Sequence, residues 1–209
     1  MDQATDIFEH ELNLLTADYN ILTRKILLEV ESHPQMGADF FLKSAATSAP
    51  KSISHHPDCC RVEGGLIRHV KRAVAIGNEM CRALDLSETQ REIVLAALLL
   101  HDIAKRLDFR THGFLAGEFI STVMAKPDNR ELLLRITYYN LAQICSCVTH
   151  HMGPWTDESY KKSLEKYTLP EMATYLSDYT AARRDIVMPA VDNFDLAPML
   201  NFWKKKSPV

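Results

Sequence analysis

The chain has 209 residues, 46% of them hydrophobic and 24% charged, with a formal net charge of −3. That is the make-up of one globular domain, or of a domain with a small extension. It excludes the global basic signature of a protein that coats nucleic acid nonspecifically, and no apolar run approaches the roughly 18 residues of a membrane span.

Only seven glycines and long stretches of 3.6-residue periodicity predict an all-α protein, a single helical bundle with an N-terminal helical extension. The opening MDQATDIFEHELN is acidic and polar, unlike a signal or transit peptide. Leu12, Leu15, Tyr19, Leu22, Ile26 and Val30 space a helix over 6–31, followed by a short apolar patch at 37–46. Residues 47–65 are rich in Ser, Pro and Gly and read as a loop, which closes the extension, 1–60. The main domain, 61–190, should begin with a helix over 66–84. Ser87 then caps a helix that runs to about Lys105, with Glu88 and Glu92 in its first turns. Further helices are expected over 112–125, over 129–150 up to the terminators Gly153 and Pro154, and over 169–187 behind Pro170. The tail, 191–209, ends in a polar FWKKKSPV that should fray. The five cysteines lack CxxC spacing and read as reduced thiols of a cytoplasmic protein.

Seven of the nine histidines fall between residues 55 and 151, and His69, His101, His112, His150 and His151 stand at or near helical positions beside apolar sequence. One such histidine is more often a hydrogen-bonded core residue. Several, together with Asp102 and Asp178, are a ligand set for iron, manganese, zinc and related ions. His101 and Asp102 point about 100° apart around a helix, so they converge only on a target off its side. An aspartate has two oxygens and can bridge two ions. His69 and Asp178 can complete one, and His112 with His150 or His151 the other, since facing helices are how bundles build metal centres.

The order His69, HD at 101–102, His112, HH at 150–151 and Asp178 resembles the HD-domain metal-dependent phosphohydrolases, over roughly residues 60–187. GGLIRHV resembles the family's entry helix, HDIAK its central motif, HGFLAGEFI the segment with a histidine six residues before a glutamate (His112 and Glu118), and LSDYTAARRDI its closing helix. The approach APKSISHHPDCCRVEGGL is also similar to HD-type 3′-to-5′ exoribonucleases, in which a histidine can stand at the place of Glu118, and DYTAARR to ribonuclease Y.

The resemblance implies two divalent ions, with Mn, Fe, Ni, Co, Mg and Zn all open, that activate water against a phosphate ester of a nucleotide or a nucleic-acid 3′ end. His69, His101, Asp102 and Asp178 would bind the first ion. His112, His150 or His151, and bridging Asp102, would bind the second. The alternatives are a buried polar network and a one-metal site. Lys105 would hold a phosphate oxygen or the leaving group, or else be a solvated lysine at a helix end. Arg183 and Arg184 lie five and six residues past Asp178, off the ligand face, yet either can grip a phosphate. His55 and His56 can line the substrate mouth. Trp155 and Tyr179 can stack a base, although core packing is the commoner fate of such rings. Two other functions use the same residues: a di-iron oxygenase of small anionic substrates, and a regulatory domain with an idle site. Oligomeric state, including a homo-oligomer, is left open.

Overall fold

The computed structural model describes residues 3–37, 39–47 and 54–195. Among them the order is α1 (Gln3–Ile7), α2 (Glu9–Leu12), α3 (Ala17–Ser32), α4 (Phe40–Lys43), α5 (Gly65–Ala83), α6 (Glu88–Leu100), α7 (His112–Met124), α8 (Arg130–Ile136), α9 (Tyr138–His150), α10 (Leu169–Ala181) and α11 (Pro189–Asp192), with short 3-10 turns and no strand. The expected all-α architecture is what forms.

Helix α6 is the axis. The Ser87 side chain accepts the Gln90 N–H while the Gln90 side chain accepts the Ser87 N–H, a reciprocal cap that fixes where the helix starts. From Glu92 to Leu100 every side chain is buried, and a helix apolar on all sides must be surrounded. Helices α3, α5, α9 and α10 pack around it. The N-terminal helices join the same core: Phe8, Leu12, Leu22 and Ile26 are fully buried and continuous with Leu95 and Leu98.

Several helices are shorter than the periodicity suggests, each for a local reason. The segment 6–31 breaks because Thr16 becomes an N-cap, with its N–H and hydroxyl donating to the buried Glu92 carboxylate of α6. Thr137 breaks 129–150 into α8 and α9: it adopts a φ of +75° and accepts the Asn140 N–H. The helix expected to reach Lys105 stops at Leu100, and residues 101–107 turn through i→i−3 bonds. Helix α10 ends at Ala181 rather than near 187. The fully buried Arg72 of α5 reaches over and donates to the carbonyls of Ala181, Arg183 and Ile186. The frayed tail expected over 202–209 lies outside the described residues.

Candidate metal centre

The ends of the helices, more than their middles, make the site. His101 caps the C-terminus of α6, His151 caps that of α9, and His112 opens α7. Each turns its Nδ1 onto the carbonyl three residues back: Leu98 at 2.7 Å, Val148 at 2.7 Å and Phe109 at 2.8 Å. A carbonyl only accepts, so each Nδ1 donates to it, which leaves the Nε2 of each ring facing inward. His69 comes from α5 and Asp178 from α10, and Asp102 sits in the turn after α6. Close approach of α7 to α9 is what lets His112 meet His151. A Cβ on Gly113 would lie 2.9 Å from the Thr149 and Val148 carbonyl oxygens, and one on Gly117 would lie 2.7 Å from the Thr149 hydroxyl.

Asp102 divides the centre. Its Oδ2 lies 3.5 Å from His101 Nε2 and 3.8 Å from His69 Nε2, and these rings face Asp178 Oδ1 at 3.5 and 2.8 Å. Its Oδ1 lies 3.0 Å from His112 Nε2 and 3.7 Å from His151 Nε2. Three overlapping groups result: His69, His101 and Asp102; His101, His151 and Asp178; Asp102, His112 and His151. Within each, the donor atoms lie within 4.8 Å of one another.

The donor set suits divalent cations. Asp102 Oδ1 is buried and has no hydrogen bond of good geometry, so a demanding acceptor is left open. His112 and His151 bring their Nε2 atoms to 3.1 Å, and His69 and His101 theirs to 3.3 Å. Two ring nitrogens at that distance need a proton or a metal cation between them.

The carboxylates and Lys105 set the charge of this cluster. Burial disfavours a charged His101, but Asp102 and Asp178 outweigh it and raise its pKa to about 10. Burial and the neighbouring His101 and His112 instead push His151 down to about 3, and burial likewise lowers His69. Burial also works against the Asp102 charge. Lys105, whose Nζ lies 2.6 Å from Oδ2, and His101 overcome it and hold the carboxyl well below its usual range. Asp178 is held low in the same way, by His101 and His69 against its burial.

A cavity of about 660 Å³ opens above this floor, with His151 and Asp178 in its lining. His55, His56, Tyr179 and Arg183 line it too, as the sequence suggested. Burial, with the nearby His69, lowers the His56 pKa to about 3. Lys105 lies instead in an adjoining cavity that shares Thr47 and Phe109 with the first.

Two of the suggested residues stand apart. His150 is not among the converging donors: its Nδ1 binds the Ser146 carbonyl at 2.8 Å and faces Glu171 at 3.3 Å, because neighbours on a helix diverge by about 100°. Arg184 is exposed and lines neither cavity, since α10 has ended and the chain turns at Ala182. Glu118 is exposed on α7.

Sequence reasoning missed Arg72, Phe109 and Arg110. Arg72 falls one turn after His69, where an arginine in an apolar helix face signals a buried clasp. Phe109 and Arg110 follow the central motif directly and line the cavity.

A family model of the HD domain matches residues 66–183, more than half of the chain and the span that holds all six converging residues. The chain belongs to the HD-domain family. The paired His101 and Asp102 stand at the end of the central helix of this HD domain. No curated protein and no solved structure matches the chain. Among the described residues, no helix of this HD domain is long and apolar enough to cross a membrane.

Proposed function

We propose that this HD domain is a metal-dependent phosphohydrolase that cleaves a phosphate ester of a nucleotide or of a nucleic-acid end, with water as the attacking group. The observation that carries the reading is Asp102, which offers one carboxylate oxygen to each of two imidazole pairs beneath an open cavity with two arginines in its lining. His69, His101, Asp102 and Asp178 would hold one divalent ion, and Asp102, His112 and His151 a second. Such ions supply positive charge beside a phosphate and bring the pKa of water toward neutrality.

The chain's own groups supply the positioning. Lys105 keeps Asp102 ionised, and from its adjoining cavity its ammonium would offer a charge to a phosphoryl oxygen or the leaving group. Arg183, in the cavity lining, offers a planar guanidinium to a phosphate. His56 is neutral at physiological pH, so in this reading it exchanges hydrogen bonds with the ester rather than attracting it by charge.

The test is ester hydrolysis across a panel of nucleotide monoesters and diesters with Mn, Fe, Ni, Co, Mg and Zn, alongside metal analysis. Metal-dependent release of product, abolished by Asp102→Ala, is the expected result. Bound metal with no hydrolysis of any ester, and dioxygen consumed instead, would replace the reading with an oxygenase.

A further inference from the structure

Trp155 is placed oddly for a residue of its size. It lines the cavity above the metal centre yet is 63% exposed. Large rings are usually buried, and one held open inside a concavity points to an occupant. Its position is built, not incidental. Gly153 adopts a φ of +55°, and a Cβ there would lie 2.4 Å from the Tyr175 ring, so the Gly153–Trp155 turn can press down only where it does. The Trp155 N–H closes that turn on the Met152 carbonyl. The indole then stacks on Tyr179 with ring centres 5.5 Å apart and planes 13° from parallel.

Tyr179 in turn carries the Arg183 guanidinium over its ring, with its central carbon 3.8 Å from the ring centre. Arg183 pairs with no carboxylate among the described residues, and its Nε is buried without a hydrogen-bond partner. Its own carbonyl is held by Arg72, which fixes the base of the side chain. Trp155, Tyr179 and Arg183 therefore form a ladder of flat groups, with an unsatisfied cation at one member. Asp178, next in sequence to Tyr179, anchors the ladder to the metal centre. Phe109 offers a second exposed ring in the same cavity.

We infer that Trp155 is a stacking platform for the nucleobase of the substrate, with Arg183 binding the phosphate attached to that nucleoside. The inference deepens the hydrolase reading and rests on it only for the position of the scissile phosphate. Stacking is tolerant of base identity, because every base has a π face, so all four bases should bind.

The test compares wild type, Trp155→Phe and Trp155→Ala in magnesium-containing buffer. Adenosine 5′-monophosphate and ribose 5-phosphate are titrated while tryptophan emission is followed and, separately, by calorimetry. The nucleotide should quench wild-type emission and ribose 5-phosphate should not. Trp155→Ala should lower the preference for nucleotide over ribose phosphate by about tenfold or more, and Trp155→Phe should keep most of it. An unchanged preference in Trp155→Ala, with no quenching of wild type, overturns the platform while leaving the hydrolase reading intact. Quenching by the nucleotide in a protein that hydrolyses no ester supports the platform and removes the hydrolase reading.

Discussion

On one side of Asp102 stand His69 and His101 with a second carboxylate, Asp178; on the other stands His112 with no further carboxylate, and His151 lies between, within reach of both Asp102 and Asp178. Both halves are buried and both are built from helix ends, so the difference between them is charge. A divalent cation is drawn more strongly to the side with two carboxylates. The His69–Asp178 half should therefore hold its ion tightly, and the His112–His151 half should exchange its ion. With two ions bound, as proposed, such a centre would keep one ion permanently and let the other answer to the surrounding metal supply.

The largest effect should come from Asp102→Ala, which takes a ligand from both halves at once. Metal analysis should find neither site filled at ion concentrations that saturate wild type, an affinity loss of at least about 100-fold. A variant that still retained one tightly bound ion would show that the halves do not share Asp102.

Arg72→Ala comes next. It strips a fully buried guanidinium from three carbonyls and from Asp192, and should cost about 3–5 kcal/mol in denaturant unfolding. The clasp joins α5 to the end of α10, so the ion lost first in this variant should be the one near His69 and Asp178. Loss from the His112 side first would reverse the proposed division of labour.

Smaller again, and more pointed, is the pair His69→Ala and His112→Ala. Wild-type protein challenged with a chelator should release its ions in two steps. His112→Ala should keep only the slow step and His69→Ala only the fast one. Equal release rates from the two variants would remove the asymmetry.

The smallest effect is expected at Glu171, which ties the end of α9 to the start of α10. Its carboxylate accepts from Ser146 at 2.6 Å, from Lys162 at 2.6 Å and from the Thr168 N–H at 2.7 Å. Burial pushes the carboxyl up, but the bonds from His150, Lys162 and Ser146 outweigh that and hold it well below its ordinary 4.5. A pKa depressed on folding gives stability that is complete above the ordinary value and fades as pH falls through the folded one. Glu171→Gln should therefore lower stability by about 1–2 kcal/mol near pH 7. In thermal melts its gap from wild type should begin to close below about pH 4.5. A gap that widened on acidification would contradict the assignment of Glu171 as the ionised partner.

Much of the centre was legible because its residues are spaced along one chain order that a helical bundle must fold onto itself. His69, HD, His112 and Asp178 could be written down before any coordinates. The choice between His150 and His151 could not. Both sit at the end of one helix, and only the packing of α7, through Gly113 and Gly117, decides which ring faces inward. Helix lengths misled for a related reason. Periodicity reports which face is buried, but Thr16 and Arg72 end helices through bonds to distant elements that no local window contains, and Thr137 breaks one with a positive φ. Lys105 shows the same limit. It was expected one helical turn from Asp102 on the ligand face, yet it reaches that carboxylate from a chain of tight turns and opens into a neighbouring cavity.

Helices α6 and α9 both finish at the centre, on His101 and His151. The C-terminal end of a helix carries about half a negative charge from its aligned peptide groups. Two such ends, with Asp102 and Asp178 between them, add negative charge that Lys105 and a protonated His101 offset. In the proposed reading, phosphate affinity is then shared between bound cations and the arginines of the cavity, Arg110 and Arg183. Stripping the metal from the proposed hydrolase should then weaken phosphate binding without abolishing it.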